Sequence, residues 1–127
     1  MLNIQPVTLK GSYVLLEPLS TSHFSELIKA GGDCAIWSYS WPKNQADPVI
    51  LRDYFQNLLE YYLKNERLPF TVKDKASNQI IGSTCYFNYQ KPHYGLEIGG
   101  TWLKVAFQKT LANTECKYLM LQYAFEE

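Results

Sequence analysis

Four segments of the chain carry the period of two that is typical of strands. They are residues 13–18, 70–73, 80–89 and 96–103. The second and third segments flank a polar turn at residues 74–78, which predicts an antiparallel pair. In the last segment, LEIGGTWL, alternation predicts one face with Leu96, Ile98, Gly100 and Trp102. Its two adjacent glycines predict a bulge or a close approach to another backbone or a ligand.

Three other segments carry the 3.6-residue period of helices. The first starts after the capping serines Ser20 and Ser22 and ends at the glycine pair 31–32. The second starts with Asp47 as N-cap and Pro48 at the first helical position, and it ends near residue 65. The third starts at Leu111. Its predicted buried stripe consists of Ala112, Cys116, Leu119, Met120 and Tyr123.

The element order is β-α-α-β-β-β-α, without a linker, an internal repeat or a low-complexity tract. This order predicts an α+β fold, in which helices pack on a mostly antiparallel sheet. A length of 127 residues is enough for one domain with a real core, so residues 1–127 are expected to form a single domain.

Composition narrows the function classes. Twelve lysines and arginines balance twelve aspartates and glutamates, so the formal net charge is zero. The chain therefore has no overall electrostatic attraction to nucleic acid or to an anionic membrane. The first ten residues lack the pattern of a signal peptide, and no apolar run has the length of a membrane span. Three cysteines without close spacing predict reduced thiols in a cytoplasmic protein. No metal site is predicted, because His23 and His93 are far apart, and His23 is expected to be a solvated cap residue.

The last strand leads directly into the last helix. A helix that opens after a strand points its free N–H groups and the positive end of its dipole beyond the sheet, which is the geometry of an anion site. The alternative is an ordinary strand-to-helix corner without a ligand.

The sequence of this unit, LEIGGTWLKVAFQKTLANTECKYLMLQYAFE, resembles the acetyl-CoA-binding core of the GNAT acetyltransferases. Within that superfamily it is most similar to the RimJ/RimL-type branch, which typically reads LEIGWTWL, a QxTGxN-like turn and NxExKxLLLxxAFE. The upstream segments LKGSYVLLEPLSTSHFSEL and LPFTVKDKASNQIIGSTCYFNY match as well and in the family's order. The resemblance spans nearly the whole chain and implies a GNAT-like fold.

The resemblance implies transfer of an acetyl group from acetyl-CoA to a primary amine, which is a protein N-terminus or a small amine. In the family, a backbone N–H of the central strand, here around Trp102 and Leu103, stabilises the oxyanion. The following turn wraps the pyrophosphate. Its residues here are Gln108, Lys109, Thr110, Leu111, Ala112 and Asn113.

The resemblance also suggests residues for the acceptor side. Glu97, the only carboxylate on its strand, would act through water as the base, and the alternative is a structural carboxylate. The aromatic side chains of Trp37, Tyr39 and Trp41 would line the acceptor pocket. The alternative for these three rings is that they close the core from a loop.

The chain departs from the family pattern in two ways. Lys109 and Leu111 occupy positions where the family has glycines, and a side chain there costs about 1–2 kcal/mol if it must be left-handed. Family members also continue with a further strand, a helix and a terminal hairpin, so we expect an N-terminal portion of the family fold. The family's thiolate acid, a tyrosine, would come from that further part.

These departures support an alternative function, a non-catalytic GNAT-like module for binding or assembly. They also leave one edge of the 96–103 strand unpaired. We therefore expect a homodimer, or a completing polypeptide, that covers this edge or the exposed face of the last helix.

Overall fold

The computed structural model describes residues 7–33, 36, 46–64, 67–90, 95–108 and 110–126. In these residues, five strands form one antiparallel sheet in sequence order. The strands are β1 Leu9–Lys10, β2 Val14–Pro18, β3 Leu68–Asp74, β4 Ile80–Gln90 and β5 Gly95–Leu103. The helices are α1 Phe24–Ala30, α2 Pro48–Leu63 and α3 Leu111–Glu126. The predicted class, a mostly antiparallel α+β sheet with helices packed on it, is confirmed.

Strand β1 was not predicted, because two residues are too short for a period of two to be visible. It pairs with β2 through the register Leu9↔Leu16. The turn between the two strands is closed by a hydrogen bond of 2.9 Å from the Gly11 N–H to the Val14 carbonyl oxygen. Tyr13 belongs to this turn and not to β2, so the first predicted strand began one residue too early.

The sheet separates two hydrophobic cores. Helix α3 covers one face, and the buried side chains there are Val14, Leu16, Leu68, Phe70, Val72, Ile81, Tyr86, Leu103, Ala112, Cys116, Leu119 and Met120. Helices α1 and α2 cover the other face, with Leu19, Phe24, Leu27, Ala30, Leu51, Phe55, Leu58, Ile80, Cys85 and Trp102. The predicted stripe of the last helix is confirmed, with Tyr123 at its half-buried end.

The predicted start of α2 is also confirmed. The side chain of Asp47 accepts hydrogen bonds from the backbone N–H groups of Val49 and Ile50 at 2.8 and 3.4 Å, and Pro48 is the first helical residue. Proline is suited to this position because it has no N–H that would need a partner. The helix ends at Leu63, slightly before the predicted end.

Strand β5 contains the predicted bulge. Ser83 lies opposite Trp102 and Cys85 lies opposite Gly99, so two steps along β4 correspond to three steps along β5. The extra residue falls at positions 100–101, directly after the first glycine of the pair. A bulge of this kind bends its strand and changes which side chains share a face.

The change of face corrects one prediction. Ile98 packs with Leu103 in the core under α3, whereas Trp102 lies in the core under α1 and α2. The expectation that Ile98 and Trp102 share a face was wrong, because the extra residue between them shifts the alternation by one.

Candidate cofactor site

The candidate site is the connection from the end of β5 to the start of α3. A short 3-10 helix, Val105–Phe107, follows the strand. Gln108 comes next, and its side-chain amide donates a hydrogen bond of 3.1 Å to the carbonyl oxygen of Leu103. This bond joins the turn back to the last residue of the strand.

Thr110 caps α3. Its hydroxyl oxygen accepts the N–H of Ala112 at 3.2 Å and its hydroxyl donates to the Phe107 carbonyl oxygen at 2.6 Å. Its own carbonyl oxygen accepts the N–H of Thr114 at 3.4 Å. Threonine is favoured at a cap because its side chain satisfies a helix N–H that has no partner within the helix. Gln108 and Thr110 together hold both ends of the turn.

Leu111 is the first residue of α3, and its side chain is exposed. Among the non-glycine residues that the structure describes, positive φ occurs at Asn78 alone. Leu111 is therefore not left-handed, so the condition for a strain cost at this position is not met. The other glycine replacement, Lys109, lies outside the described residues.

The next two residues complete the first turn of α3. Ala112 is buried against the sheet and Asn113 is half-buried. Any group bound beyond this helix end would contact the N–H groups of the first turn, where the helix dipole places a partial positive charge.

Trp102 and Leu103 precede the turn, and both side chains are buried, in opposite cores. Only their backbone can therefore contact a ligand. The backbone here lies close to Gly82 of β4. A Cβ built on Gly82 would be 2.0 Å from the carbonyl oxygen of Trp102, so glycine is required for this strand pairing.

Other predicted site residues are described in part or not at all. Glu97 pairs with Phe87 in the strand register, two residues before Gly99, and its side chain lies outside what the structure describes. The predicted acceptor residues Trp37, Tyr39 and Trp41 also lie outside the described residues. The structure therefore brings together the strand end and the turn, residues 102–103, 108 and 110–113.

Sequence reasoning missed Glu115, which is one helical turn beyond Leu111. Its carboxylate accepts three backbone N–H groups of the β1–β2 connection, from Ser12 at 2.8 Å, Tyr13 at 2.7 Å and Val14 at 2.9 Å. Burial alone raises the pKa of Glu115, but these bonds and the nearby Lys75 charge outweigh it and lower the pKa below its ordinary value. The partners are about a hundred residues away in sequence, so no local pattern indicates them.

His23 differs from the expected solvated cap residue. It does cap: its Nδ1 accepts the N–H of Ser20 at 3.2 Å. Its side chain is only 13% exposed, however, and Nδ1 also lies 2.8 Å from the hydroxyl oxygen of the fully buried Thr71. Because a backbone N–H can only donate, Nδ1 is the unprotonated nitrogen. Nε2 then carries the proton and faces Glu17 at 3.5 Å.

The expectation for His23 failed because α1 packs its first turn against the sheet. Burial lowers the pKa of His23, an effect that the neighbouring Glu17 opposes. Lys73 lies 3.0 Å from the same Glu17 carboxylate. This polar cluster lies on the face of the sheet opposite α3, so it does not contribute to the candidate cofactor site.

Two of the three cysteines are described, and both are buried free thiols. Burial raises the pKa of Cys85 and of Cys116 to about 12. A thiol must ionise to act as a nucleophile, so these two side chains serve packing.

Two features are absent from the described part of the chain. It contains no group of three or more histidine, cysteine, aspartate or glutamate side chains that could hold a metal ion. None of its helices combines the length and the apolar character that crossing a bilayer requires.

The family model and the similar solved structures point to the same protein family. A family model described as an acetyltransferase (GNAT) domain matches residues 14–127. No curated protein matches significantly. Similar solved structures include a GCN5-related N-acetyltransferase from Brucella melitensis, with 24% identity and a TM-score of 0.84. That alignment covers 97% of this chain and 56% of the other.

Two further structures extend the comparison. A putative acetyltransferase from T. thermophilus has 26% identity and a TM-score of 0.75, over 97% of this chain and 62% of the other. RimL, an alpha-N-protein acetyltransferase in complex with coenzyme A, has 16% identity and a TM-score of 0.67, over 88% of this chain and 67% of the other. The chain thus spans 56% and 62% of the length of the first two.

Proposed function

The chain belongs to the GNAT acetyltransferase family, and on that premise we propose that it transfers an acetyl group from acetyl-CoA to a primary amine. The observation that carries the proposal is the connection from the bulged strand β5, through a turn held by Gln108 and Thr110, into the N-terminus of α3. RimL, which shares this fold, has coenzyme A in its structure.

The residues of this connection fit the cofactor. A pyrophosphate needs backbone N–H donors and positive charge, and the first turn of α3 offers N–H groups at Leu111 and Asn113. Between them, the N–H of Ala112 is held by the Thr110 hydroxyl, which fixes the turn. Leu111 has no left-handed backbone, so its side chain causes no strain there. Lys109 adds an ammonium group to the turn, which suits a phosphate as a point charge.

The chemistry that acetyl-CoA supplies when bound is an activated acetyl thioester. We assign the backbone around Trp102 and Leu103 to donate an N–H to the oxyanion that develops at the acetyl carbonyl. Such a donor acts without reorganisation only if the strand is rigid. The close contact with Gly82 supports that role.

Glu97 is the proposed base. It would accept the proton of the attacking ammonium group through water, since an amine must lose a proton before it can attack. Its strand position, two residues before Gly99 and ahead of the bulge, supports this role. Trp37, Tyr39 and Trp41 are proposed to line the acceptor pocket. The proposed acceptor is a protein N-terminus or a small amine, as in RimJ/RimL-type enzymes, and the proposed location is the cytoplasm.

We also propose that β5 is covered in solution by a second copy of the chain or by a completing polypeptide. Within the described residues β5 has one neighbouring strand, β4, so its other edge is unpaired there. Unpaired edges favour association unless they are protected. The outward face of α3 adds exposed apolar side chains at Leu111, Tyr118 and Leu121. Analytical ultracentrifugation at micromolar concentration tests this, and a monodisperse monomer contradicts the homodimer.

Calorimetric titration with acetyl-CoA tests the cofactor site. Stoichiometric binding at micromolar affinity is expected, and acetyl-pantetheine, which lacks the pyrophosphate, is expected to bind much more weakly. The variant Lys109→Met removes the ammonium group and keeps a side chain of similar length, so it is expected to weaken acetyl-CoA but not acetyl-pantetheine. The absence of binding up to millimolar acetyl-CoA would overturn the proposal and favour the non-catalytic alternative.

A turnover assay tests the acceptor. Release of free coenzyme A is measured with a short peptide that has a free N-terminus and, separately, with a small polyamine. The variant Glu97→Gln is expected to lower kcat with little effect on acetyl-CoA affinity, because the proposed base contacts the acceptor side. An unchanged kcat at neutral pH would remove Glu97 from the mechanism.

A further inference from the structure

Helix α3 is attached to the sheet at the edge opposite the strand that precedes it. The chain leaves β5 at Leu103, and twelve residues later Glu115 contacts the β1–β2 connection. Its carboxylate accepts three successive N–H groups, from Ser12, Tyr13 and Val14, at 2.7–2.9 Å. Successive N–H groups that converge in this way form a concave anion site, and here the anion is a side chain of the chain itself.

The carboxylate of Glu115 also lies directly against the backbone of Gly11. A Cβ built on Gly11 would lie 2.1 Å from one carboxylate oxygen of Glu115, so a side chain here would push the carboxylate away from its three N–H partners. Lys75 supports the arrangement, because its ammonium group donates to the Gly11 carbonyl oxygen at 3.1 Å. Its charge also lowers the pKa of Glu115.

The contact lies one helical turn from the candidate cofactor turn. A helix is a rigid element with a rise of about 1.5 Å per residue, so holding residue 115 determines where the N–H groups of residues 111–113 point. Gln108 and Thr110 hold the other side of the same turn. Backbone donors bind an anion well only when they are positioned within about half an ångström.

We propose that Glu115 and Gly11 are a positioning pair, which holds the N-terminus of α3 in the orientation that binds the cofactor pyrophosphate. This inference rests on the proposed function. Glu115 does not contact the cofactor. It acts through the helix, and Gly11 acts by leaving room for the carboxylate.

The direction in which acetyl-CoA affinity changes when Glu115 is neutralised tests the proposal. A carboxylate near a bound pyrophosphate repels it, so if charge were its main effect, neutralising Glu115 would strengthen acetyl-CoA binding. If position is its main effect, neutralisation weakens binding. In Glu115→Gln the amide has the same size, but its NH2 group faces backbone donors and cannot replace all three bonds.

The experiment compares Glu115→Gln, Gly11→Ala and the double variant with the wild-type chain. The matched control is Gly32→Ala, because a Cβ at Gly32 meets its nearest atom at an ordinary 3.4 Å. Acetyl-CoA affinity is measured by calorimetry at a temperature at which every variant is folded. Amide hydrogen exchange of Ala112 and Thr114, whose N–H groups are bonded to Thr110, is measured on the same samples without the cofactor.

Glu115→Gln and Gly11→Ala are each expected to weaken acetyl-CoA binding about tenfold and to accelerate exchange at the start of α3. The double variant is expected to bind acetyl-CoA about as well as the single variant with the lower affinity, because both substitutions break the same contact. Gly32→Ala is expected to behave like the wild-type chain. If Glu115→Gln does not fold, Glu115→Asp serves instead, because it keeps the charge but withdraws the carboxylate by one methylene.

The outcomes separate this inference from the proposed function. A wild-type chain that does not bind acetyl-CoA overturns both. A wild-type chain that binds, with unchanged or tighter binding in Glu115→Gln and Gly11→Ala, overturns the positioning pair and leaves the proposed function intact. A purely structural role lowers the melting temperature of both variants and leaves the affinity of the folded protein unchanged, which also overturns it.

Discussion

The hydroxyl of Tyr86 on β4 donates a hydrogen bond to the backbone carbonyl oxygen of Met120 in the middle of α3. Both residues are buried, and the ring of Tyr86 packs against Phe70 with centroids 5.9 Å apart. The bond therefore joins the helix to the centre of the sheet. Burial raises the pKa of the Tyr86 hydroxyl, so it remains a donor throughout the physiological range.

Replacement of this hydroxyl should destabilise the fold. Tyr86→Phe is expected to lower the free energy of unfolding by about 1–2 kcal/mol, because the ring still packs but a buried carbonyl oxygen loses a partner. Urea denaturation followed by fluorescence measures the change. The control is Tyr118→Phe on the exposed side of the same helix, with an expected change below about 0.5 kcal/mol. Equal effects of the two variants would contradict the stabilising role of this bond.

Gly82 is expected to tolerate no side chain. In Gly82→Ala the new Cβ meets the Trp102 carbonyl oxygen and must push β5 away from β4, at a cost of about 1–3 kcal/mol. The variant should also weaken acetyl-CoA binding, because the displaced backbone is the proposed oxyanion donor. Thermal unfolding and calorimetry measure the two effects. A Gly82→Ala variant with wild-type stability and unchanged β4–β5 pairing would contradict the requirement for glycine at this position.

His23 should make stability depend on pH. The pKa of His23 is lowered from its ordinary value of 6.5 in the folded chain, so the unfolded chain binds a proton first as the pH falls. Neutral His23 therefore makes its full contribution to the free energy of unfolding above about pH 6.5. This contribution is lost progressively as the pH falls from there to the lower pKa of the folded state.

The comparison of wild-type and His23→Gln chains isolates this contribution from the other titrating groups. Urea midpoints measured between about pH 7.5 and pH 5 are expected to fall more steeply in the wild type than in the variant. Parallel pH profiles would mean that His23 has nearly the same pKa in the folded and unfolded chains.

The two described thiols should be inert in the folded protein. Burial raises the pKa of Cys85 and of Cys116 to about 12, and both side chains are almost inaccessible. Alkylation by iodoacetamide at about pH 8, followed residue by residue with mass spectrometry, is expected to be slow at both until urea unfolds the chain. Rapid labelling of either thiol under native conditions would reveal local opening around it.

Much of the secondary structure was predictable, because local periodicity and caps act within a few residues. Asp47 and Pro48 mark the start of α2 through contacts within three residues, and the stripe from Ala112 to Tyr123 is the one that packs on the sheet. The bulge was also predictable, since two adjacent glycines weaken regular pairing at one point. The short strand β1 was not, because its two residues carry no period.

The candidate site was predictable only in part. Motif resemblance proposed the segment from Gln108 to Asn113 as the cofactor turn, since that segment is continuous in sequence. The sequence left open whether Leu111 must be left-handed, because a backbone angle depends on how the turn is held, here by Thr110.

The sequence by itself determined the order of the three helices and four longer strands, the start of α2, which stripes are apolar and which family the chain resembles, because these properties depend on neighbouring residues. The tertiary structure decided which face each residue of β5 presents after the bulge, how deeply His23 is enclosed, and that Glu115 meets the turn at Gly11. Those outcomes depend on contacts between segments up to about a hundred residues apart, and local pattern carries no information about such pairs.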